Sequence, residues 1–398
     1  MAPTAPAAGA AVAGRAREVT RLAGLDGIRG LAALFVVLHH CWLLSFPGYP
    51  ADTGPGWAGW LLYGHFAVVV FIVLSGFSLA VSPARAEWRL GGVRRFLRRR
   101  AWRILPPYWA ALAMSLVIAW TVVPQPGEGP PTAKSVLVYG LLVQDLFGAP
   151  SPNGAFWSIA VEAQLYLVFP IMLLVLRRYG AAVMLGAVTA IVVAIGALAP
   201  HVAAVDLFMR LTPQFAALFA AGIVAAGVLA VPRDRDDPEA ARRRARWRAA
   251  LPWLALAAAV PVPVLIAVNG SVWTVANFFW VDLALGPAVA LLLAALATGR
   301  PAVLVRLLDL RPLRRLGSFS YSLYLTHAPL VVIVAQLLVA PRVAPGVPAF
   351  LVTLAVGVPL TLAVAWAFAA AFELPFQRHR GWAALRAAVR ARLARRRA

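Results

Sequence analysis

Residues 60–82 read WLLYGHFAVVVFIVLSGFSLAVS, a run without any Asp, Glu, Lys or Arg. A helix needs roughly 20 mostly apolar residues to cross a bilayer core of about 30 Å. Because backbone groups inside lipid must be satisfied within the segment, such runs predict helices, and they are too long and continuous for barrel strands. The sequence therefore predicts an all-α polytopic membrane protein with about 10 transmembrane helices. The candidate spans are 31–46, 60–82, 104–123, 156–176, 181–199, 208–230, 251–268, 276–297, 318–339 and 348–371.

The arginines predict which side of the membrane each loop faces. Of the 37 Lys and Arg residues, all but Lys134, Arg210 and Arg342 lie in the N-terminal arm, the foot of the first span or the segments after even-numbered spans. Positive residues concentrate in cytoplasmic loops. We therefore expect both termini in the cytoplasm and the chain in the plasma membrane as a multi-pass protein.

The net charge of +22 is explained by this topology rather than by nucleic-acid binding. An arginine-rich inner face can also hold anionic lipid head groups or an anionic cytosolic ligand. The single cysteine, Cys41, excludes an internal disulfide, and no metal site is expected. The expected organisation is a disordered arm over 1–21, one membrane domain over 22–378 and a basic cytoplasmic tail over 379–398.

Ionisable side chains inside spans are costly and mark candidate sites. Arg29 and His40 are eleven residues apart. This spacing is close to three helical turns, so both side chains share one face, about 16 Å apart along the helix. His40 is expected near mid-depth, above a cationic group at the inner mouth, whereas His39 lies about a quarter turn away. A base in register with an arginine predicts a site open to an anionic cytosolic ligand.

Other spans carry further polar groups, each with two interpretations. They are His65 and Ser75-Gly76 in the second span, Glu162 and Tyr166 in the fourth, Asp282 in the eighth, and Tyr324 and His327 in the ninth. A lone histidine such as His65 or His327 can simply bond a backbone carbonyl. Ser75-Gly76 fits a close helix contact better than chemistry. Glu162 is either a functional carboxylate or a structural partner of an arginine or an aromatic group.

The stretch RRFLRRRAWRILPPYW (94–109) leads directly into the third span. Arginine presents a planar fork of donors that suits phosphate. Solvent exposure explains most of these arginines, but Arg100 and Arg103 precede Pro106-Pro107 and are expected to line a cavity.

Six separated motifs stand in one order along the chain. They are LDGIRGLAALFVVLHH (25–40), VFIVLSGF (70–77), RFLRRRAWRILPPYW (95–109), FWSIAVEAQLYLVFP (156–170), LGSFSYSLYLTHAPL (316–330) and FELPFQR (372–378). Together they resemble acyltransferase family 3, a family of integral-membrane O-acyltransferases. In that resemblance Arg29 pairs with His40, not with His39.

The resemblance implies transfer of an acyl group, acetyl by default, from cytosolic acyl-CoA to a hydroxyl of a carbohydrate or glycosylated metabolite. Acyl-CoA is then a donor substrate, and no bound cofactor is implied. The catalytic candidates are His40 as general base, Glu162 and His327. The candidates for binding acyl-CoA or the acceptor are Arg29, Arg100, Arg103, Tyr166 and Tyr324.

Two departures and two alternatives accompany this hypothesis. Val69 and Ala163 stand where many relatives carry acidic residues, so no carboxylate can act at those positions. A covalent route through Cys41 is disfavoured, because neighbouring helical residues point about 100° apart. The main alternative function is a transporter or flippase of a lipid-linked saccharide, which would also use broken helices and buried ionisable groups. The second alternative function is a non-enzymatic membrane sensor or scaffold.

Overall fold

The computed structural model describes residues 22–231, 237–379, 381–387 and 390. The predicted arm over 1–21 and most of the predicted tail lie outside these residues. Every regular element in the described ranges is helical, which confirms the all-α class. The helices are α1 (Leu25–Leu43), α2 (His65–Ala84), α3 (Val93–Thr121), α4 (Ala133–Gly140), α5 (Trp157–Tyr179), α6 (Ala181–Leu198), α7 (Ala203–Met209), α8 (Gln214–Ala225), α9 (Pro238–Ala259), α10 (Pro261–Ala276), α11 (Phe278–Ala297), α12 (Ala302–Leu308), α13 (Arg311–Ser318), α14 (Ser320–Ile333), α15 (Val347–Phe368) and α16 (Leu374–Arg378).

Within the described ranges, eight helices are long and apolar enough to cross a membrane, or nine if the bent pair α7 and α8 forms one span. This set agrees with the predicted polytopic architecture of about ten transmembrane helices. The first predicted span corresponds to α1. Helix α1 has 19 residues and includes Asp26, Arg29, His39 and His40, and it is not among the eight. The side of the membrane on which each terminus lies stays a prediction.

Short irregular helices precede or interrupt three of the long helices. A 3-10 helix over Gly59–Tyr63 precedes α2. Helix α14 continues as a π-helix over Val334–Val339, and a second π-helix over Ala369–Glu373 joins α15 to α16. Because π turns often accompany functional sites, the two π segments direct attention to α14 and its neighbours.

Burial shows which helices form the centre of the bundle. Helix α14 buries most of its residues, from Ser320 to Val332, and α2 is buried along most of its length. Helix α6, in contrast, buries only Met184, Val192 and Gly196 and presents the remainder outward. The polar residues of α2 and α14 therefore lie inside the bundle rather than against lipid.

Glycine lets α2 and α8 approach each other closely. A Cβ atom on Gly76 would collide with the carbonyl oxygen of Phe219, and one on Gly222 would collide with that of Val73. Small residues permit this backbone contact between membrane helices. The prediction that Ser75-Gly76 marks a close helix contact is confirmed for Gly76.

Candidate active site

A cavity of about 150 Å³ lies among α1, α2, α3, α5 and α14. Its polar lining comes from Arg29, Ser75, Ser78, Arg100, Arg103, Ser158, Glu162, Tyr166, Ser320, Tyr321 and Tyr324. The set includes six of the eight residues singled out from the sequence. His40 and His327 are the two that do not line it. Four of the five helices contribute a residue predicted from sequence, so separate motifs converge on one space.

The arginines give this cavity a cationic wall. Nη1 of Arg29 donates to Oδ1 of Asp26 at 3.1 Å, and its Nη2 lies 3.5 Å from Oγ of Ser78. Arg100 holds its guanidinium 5.8 Å from the ring centre of Phe96. Its Nε is buried and has no hydrogen-bond partner among the residues that the structure describes. Since buried polar groups are almost always paired, this N–H is a donor open to an acceptor in the cavity.

Glu162 is the acceptor at the centre of a small hydroxyl network. Its Oε1 accepts from Oγ of Ser75 at 2.7 Å and from the hydroxyl of Tyr166. The Ser75 and Tyr166 oxygens are themselves 3.2 Å apart. Ser75 thus lines the site as well as accompanying the helix contact at Gly76. The sequence interpretation of Ser75-Gly76 as packing alone missed this role.

His40 and His327 lie against each other, although α1 and α14 are far apart in sequence. Nε2 of His327 is 3.3 Å from Nδ1 of His40, and the two rings meet edge to face at 4.8 Å. Nδ1 of His40 is 2.8 Å from the carbonyl oxygen of Val36. Nδ1 of His327 is 2.8 Å from that of Tyr324. His327 therefore bonds a backbone carbonyl, as the simpler interpretation expected, and also contacts His40.

These contacts fix the tautomer of both rings. A carbonyl oxygen can only accept, so in a neutral imidazole the single proton must be on the Nδ1 that faces it. Nε2 of His327 is then unprotonated and lies 3.3 Å from Nδ1 of His40, whose single N–H already points to the carbonyl oxygen of Val36. Nε2 of His40 is likewise unprotonated, so each ring keeps one nitrogen that can accept a proton.

His40 and His39 point in different directions from the end of α1. His40 lies in the last turn of the helix, which ends at Leu43. His39 turns away from it and places Nδ1 2.8 Å from the carbonyl oxygen of Leu61. The predicted separation in direction between His39 and His40 is thus observed, and the mid-depth position of His40 in the membrane stays a prediction.

Tyr324 connects the cavity to the two histidines. It lines the cavity, and its ring centre lies 5.7 Å from that of His327 and 5.6 Å from that of Phe71. Its hydroxyl is 2.6 Å from Oγ of Ser158. The two hydroxyls carry one proton each, and the hydrogen bond between them is donated by one of these protons. The proton of the accepting hydroxyl is therefore available to a ligand in the cavity.

Two side chains outside the predicted set hold α14 in place. Glu373, 3% exposed, accepts from the backbone N–H of Ser322 at 3.1 Å and from its Oγ at 2.5 Å. Asn153 donates from Nδ2 to the carbonyl oxygen of Leu325 at 2.9 Å. That carbonyl loses its helical partner because Pro329, four residues later, has no N–H. The proline in the sequence was the available signal for this contact.

His65 and Asp282 form a second buried polar pair. Nε2 of His65 lies 2.9 Å from Oδ2 of Asp282, which is fully buried. Stacking against Phe278, with ring centres 4.2 Å apart, completes the setting of the imidazole. The suggestion that His65 bonds a backbone carbonyl is therefore wrong. This pair lies outside the cavity lining and ties α2 to α11.

In the part of the chain that the structure describes, no three His, Cys, Asp or Glu side chains group closely enough to hold a metal ion. The polar atoms of the cavity are instead guanidinium donors, hydroxyls and one carboxylate. Such a set offers positive charge and hydrogen-bond donors, which suit an anionic organic ligand.

The fold and this site agree with the family that the sequence matches. A family model described as Acyltransferase domain matches residues 22–370. The chain belongs to this family of membrane acyltransferases. No solved structure matches the chain at a significant level.

Three curated proteins show what the chain is similar to. It is 27% identical over 167 residues to a peptidoglycan O-acetyltransferase of Listeria monocytogenes, which covers 38% of this chain and 24% of that protein. It is 30% identical over 169 residues to the acyltransferase MdmB of Streptomyces mycarofaciens, covering 40% of this chain and 41% of the relative. It is 26% identical over 192 residues to nodulation protein 10 of Rhizobium leguminosarum, covering 42% and 48%. The matches thus span less than half of each of these relatives.

Proposed function

We propose that this protein is an integral-membrane O-acyltransferase that moves an acyl group, acetyl by default, from acyl-CoA to a hydroxyl of a carbohydrate or glycosylated metabolite. The observation that carries the proposal is the arginine-walled cavity whose far side, at Tyr324, contacts the His327–His40 pair. A cationic mouth and a base in one site are what a polyanionic thioester donor requires. The name of the peptidoglycan O-acetyltransferase relative supports a carbohydrate acceptor.

The donor fits the arginines by charge. Coenzyme A carries phosphates, and arginine binds phosphate through paired N–H donors. Arg29 and Arg103 line the cavity beside Arg100, whose buried Nε lacks a partner in the described residues. In this proposal the three guanidiniums hold the phosphates and the pantetheine arm extends towards Tyr324. The thioester then reaches the histidines past Tyr324 and Phe71.

The base of the reaction is Nε2 of His40. It takes the proton of the acceptor hydroxyl as the hydroxyl oxygen attacks the thioester carbonyl carbon. The C–S bond then breaks, and the departing thiolate takes the proton back from the imidazolium, so that the products are an O-acyl ester and the free thiol. General base catalysis of this kind contributes about 10²–10⁴-fold to the rate. Nε2 of His327, 3.3 Å from Nδ1 of His40, stabilises the imidazolium.

Glu162 has a positioning role in this scheme rather than an oxyanion role. It already accepts hydrogen bonds from Ser75 and Tyr166, and a carboxylate cannot stabilise another negative charge. The donor to the thioester carbonyl oxygen is instead the hydroxyl of Ser158 or Tyr324 whose proton is not used in the bond between them. Hydrogen-bond donors aimed at a developing oxyanion supply a large share of catalysis in acyl transfer.

The test is incorporation of radiolabelled acetyl from acetyl-CoA into the saccharide fraction of membranes that contain the protein. His40→Ala should reduce incorporation by about 10²–10⁴-fold. His201→Ala, an exposed histidine beyond α6, is the matched control and should keep full activity. Full incorporation by a normally expressed His40→Ala variant would refute the general-base role. A transporter of lipid-linked saccharide would show no dependence on acetyl-CoA.

Donor binding tests the arginine wall separately from chemistry. Arg100→Ala should weaken binding of coenzyme A to the purified protein by about tenfold, since one charge-assisted hydrogen bond contributes roughly 1.5–3 kcal/mol. Arg98→Ala, on an exposed arginine of the same helix that does not line the cavity, is the control. Titration calorimetry measures both. Equal affinities in the two variants would remove Arg100 from the donor site.

A further inference from the structure

A second cavity, of about 720 Å³, lies between α6, α8, α9 and α11, apart from the site above. Aliphatic and small side chains form most of its lining, among them Leu218, Ala221 and Ala290. Its one hydroxyl belongs to Thr189. None of its lining residues belongs to the candidate active site. We call this second cavity the apolar groove.

The shape of the apolar groove suits a hydrocarbon chain. Its lining on α11 runs from Trp280 to Ala294. Fourteen helical steps at about 1.5 Å each give a length of about 21 Å. One leaflet contributes about half of a 30 Å bilayer core, so the groove holds a chain that crosses a leaflet. Water does not occupy an apolar cavity of this kind, whereas apolar molecules do.

One end of the apolar groove carries an arginine. Nη2 of Arg248 donates to the carbonyl oxygen of Val228 at 3.3 Å, and Val228 lines the groove. Leu251, also in the lining, comes three residues after Arg248, so the two share one face of α9. A guanidinium has five N–H donors, and this contact uses one. Further arginines precede Arg248 on the same helix, at 242–244 and 246.

We propose that the apolar groove is a binding site for one anionic diacyl phospholipid, with an acyl chain along α11 and the phosphate on Arg248. The charge at one end of an otherwise apolar groove selects an anionic head group over a neutral or zwitterionic one. The groove length matches a leaflet-spanning chain. Its α8 wall packs through Gly222 against α2, whose Gly76 faces α8 and whose Ser75 lines the candidate active site.

The test uses the full chain, purified in detergent, stripped of lipid and examined by native mass spectrometry. Equal amounts of phosphatidylglycerol, phosphatidylcholine of the same chains and a polyprenyl phosphate are then added. The expected result is one retained phosphatidylglycerol, favoured severalfold over phosphatidylcholine, because the choline cation beside the phosphate of phosphatidylcholine is repelled by Arg248. Equal retention of both phospholipids, or a preference for polyprenyl phosphate, would overturn the proposal.

Two pairs of variants locate the lipid. Arg248→Ala should lower retention of phosphatidylglycerol to the level of phosphatidylcholine, whereas Arg246→Ala, on another face of α9, should not. Ala221→Phe should block the chain, and Ala187→Phe, exposed on α6 outside the lining, should leave binding intact. If Ala221→Phe does not fold, the arginine pair still decides. Unchanged lipid selectivity in Arg248→Ala would refute the site.

Discussion

A neutral imidazole carries one proton, and at His40 the carbonyl oxygen of Val36 fixes it on Nδ1. Register along a single helix was enough to place Arg29 and His40 on one face from the sequence. The contact with His327 could not be found in this way, because it depends on how α1 and α14 pack. The contact of Asn153 could not be found in this way either, because its partner, the carbonyl oxygen of Leu325, belongs to the distant helix α14. Helical periodicity predicts which residues share one face of a helix, but it does not predict which faces of two helices pack against each other.

At the scale of a single residue, His327 should act through His40. His327→Ala should lower kcat of acetyl transfer by roughly fivefold, since a net hydrogen bond is worth about 1 kcal/mol. The KM for acetyl-CoA should stay unchanged, because His327 does not line the arginine cavity. Steady-state kinetics in membranes measure both constants. His327→Gln, which offers an amide oxygen near Nδ1 of His40, should restore part of kcat.

A merely structural His327 would give another pattern. The Ala and Gln variants would then lose folded protein in parallel, and the activity remaining per folded molecule would be normal. Fluorescence-detected size-exclusion chromatography of both variants separates these cases.

At the scale of elements, the α2–α8 contact should tolerate no side chain. Gly76→Val should destabilise the protein by about 1–3 kcal/mol, the usual cost of overpacking, because its branched side chain meets the backbone at Phe219. Gly186→Val on α6 has open space around its Cβ position and serves as control. Thermal unfolding followed by size-exclusion chromatography measures the difference. Equal melting temperatures of the Gly76→Val and Gly186→Val variants would show that α2 and α8 can move apart without loss of stability.

The His65–Asp282 pair is another contact between elements. Asp282→Leu should destabilise the fold by about 1–3 kcal/mol, because it leaves His65 and the amide of Gln214 without their acceptor in a buried site. The double variant His65→Phe/Asp282→Leu should recover part of that loss, since both polar partners are then gone. A double-mutant cycle of melting temperatures tests this. Strictly additive losses would contradict a direct pair.

At the scale of the whole molecule, hydropathy was sufficient for the all-α class and for a polytopic membrane architecture. Its signal is weakest at α1, which mixes apolar residues with Asp26, Arg29 and two histidines. Hydropathy did not predict the bend between α7 and α8 or the π segments, because both depend on packing. The polar lining was largely found from motifs, whereas its arrangement around Glu162 depends on how α2 and α5 pack.

The arginine distribution predicts the orientation of the entire chain. In a Cys41→Ser background, a new cysteine at Gly127, between α3 and α4, should react in intact cells with a membrane-impermeant maleimide. A cysteine at Arg89, between α2 and α3, should react only after lysis, because positive loops remain in the cytoplasm. Because Cys41 is the chain's single cysteine, its replacement leaves the new thiol as the one labelling site. Labelling of Arg89→Cys in intact cells would reverse the topology.

The amide of Asn153 has a practical consequence for protein engineering. Its Nδ2 donates to the carbonyl oxygen of Leu325, two residues before His327, which Pro329 leaves without a helical partner. Asn153 itself belongs to the connecting segment between α4 and α5. Anyone who exchanges that connection with a homologue to alter specificity also replaces a contact that holds α14 beside His327. Chimeras should therefore place their junctions so that this asparagine is kept, or inactive products will be mistaken for a failed change of specificity.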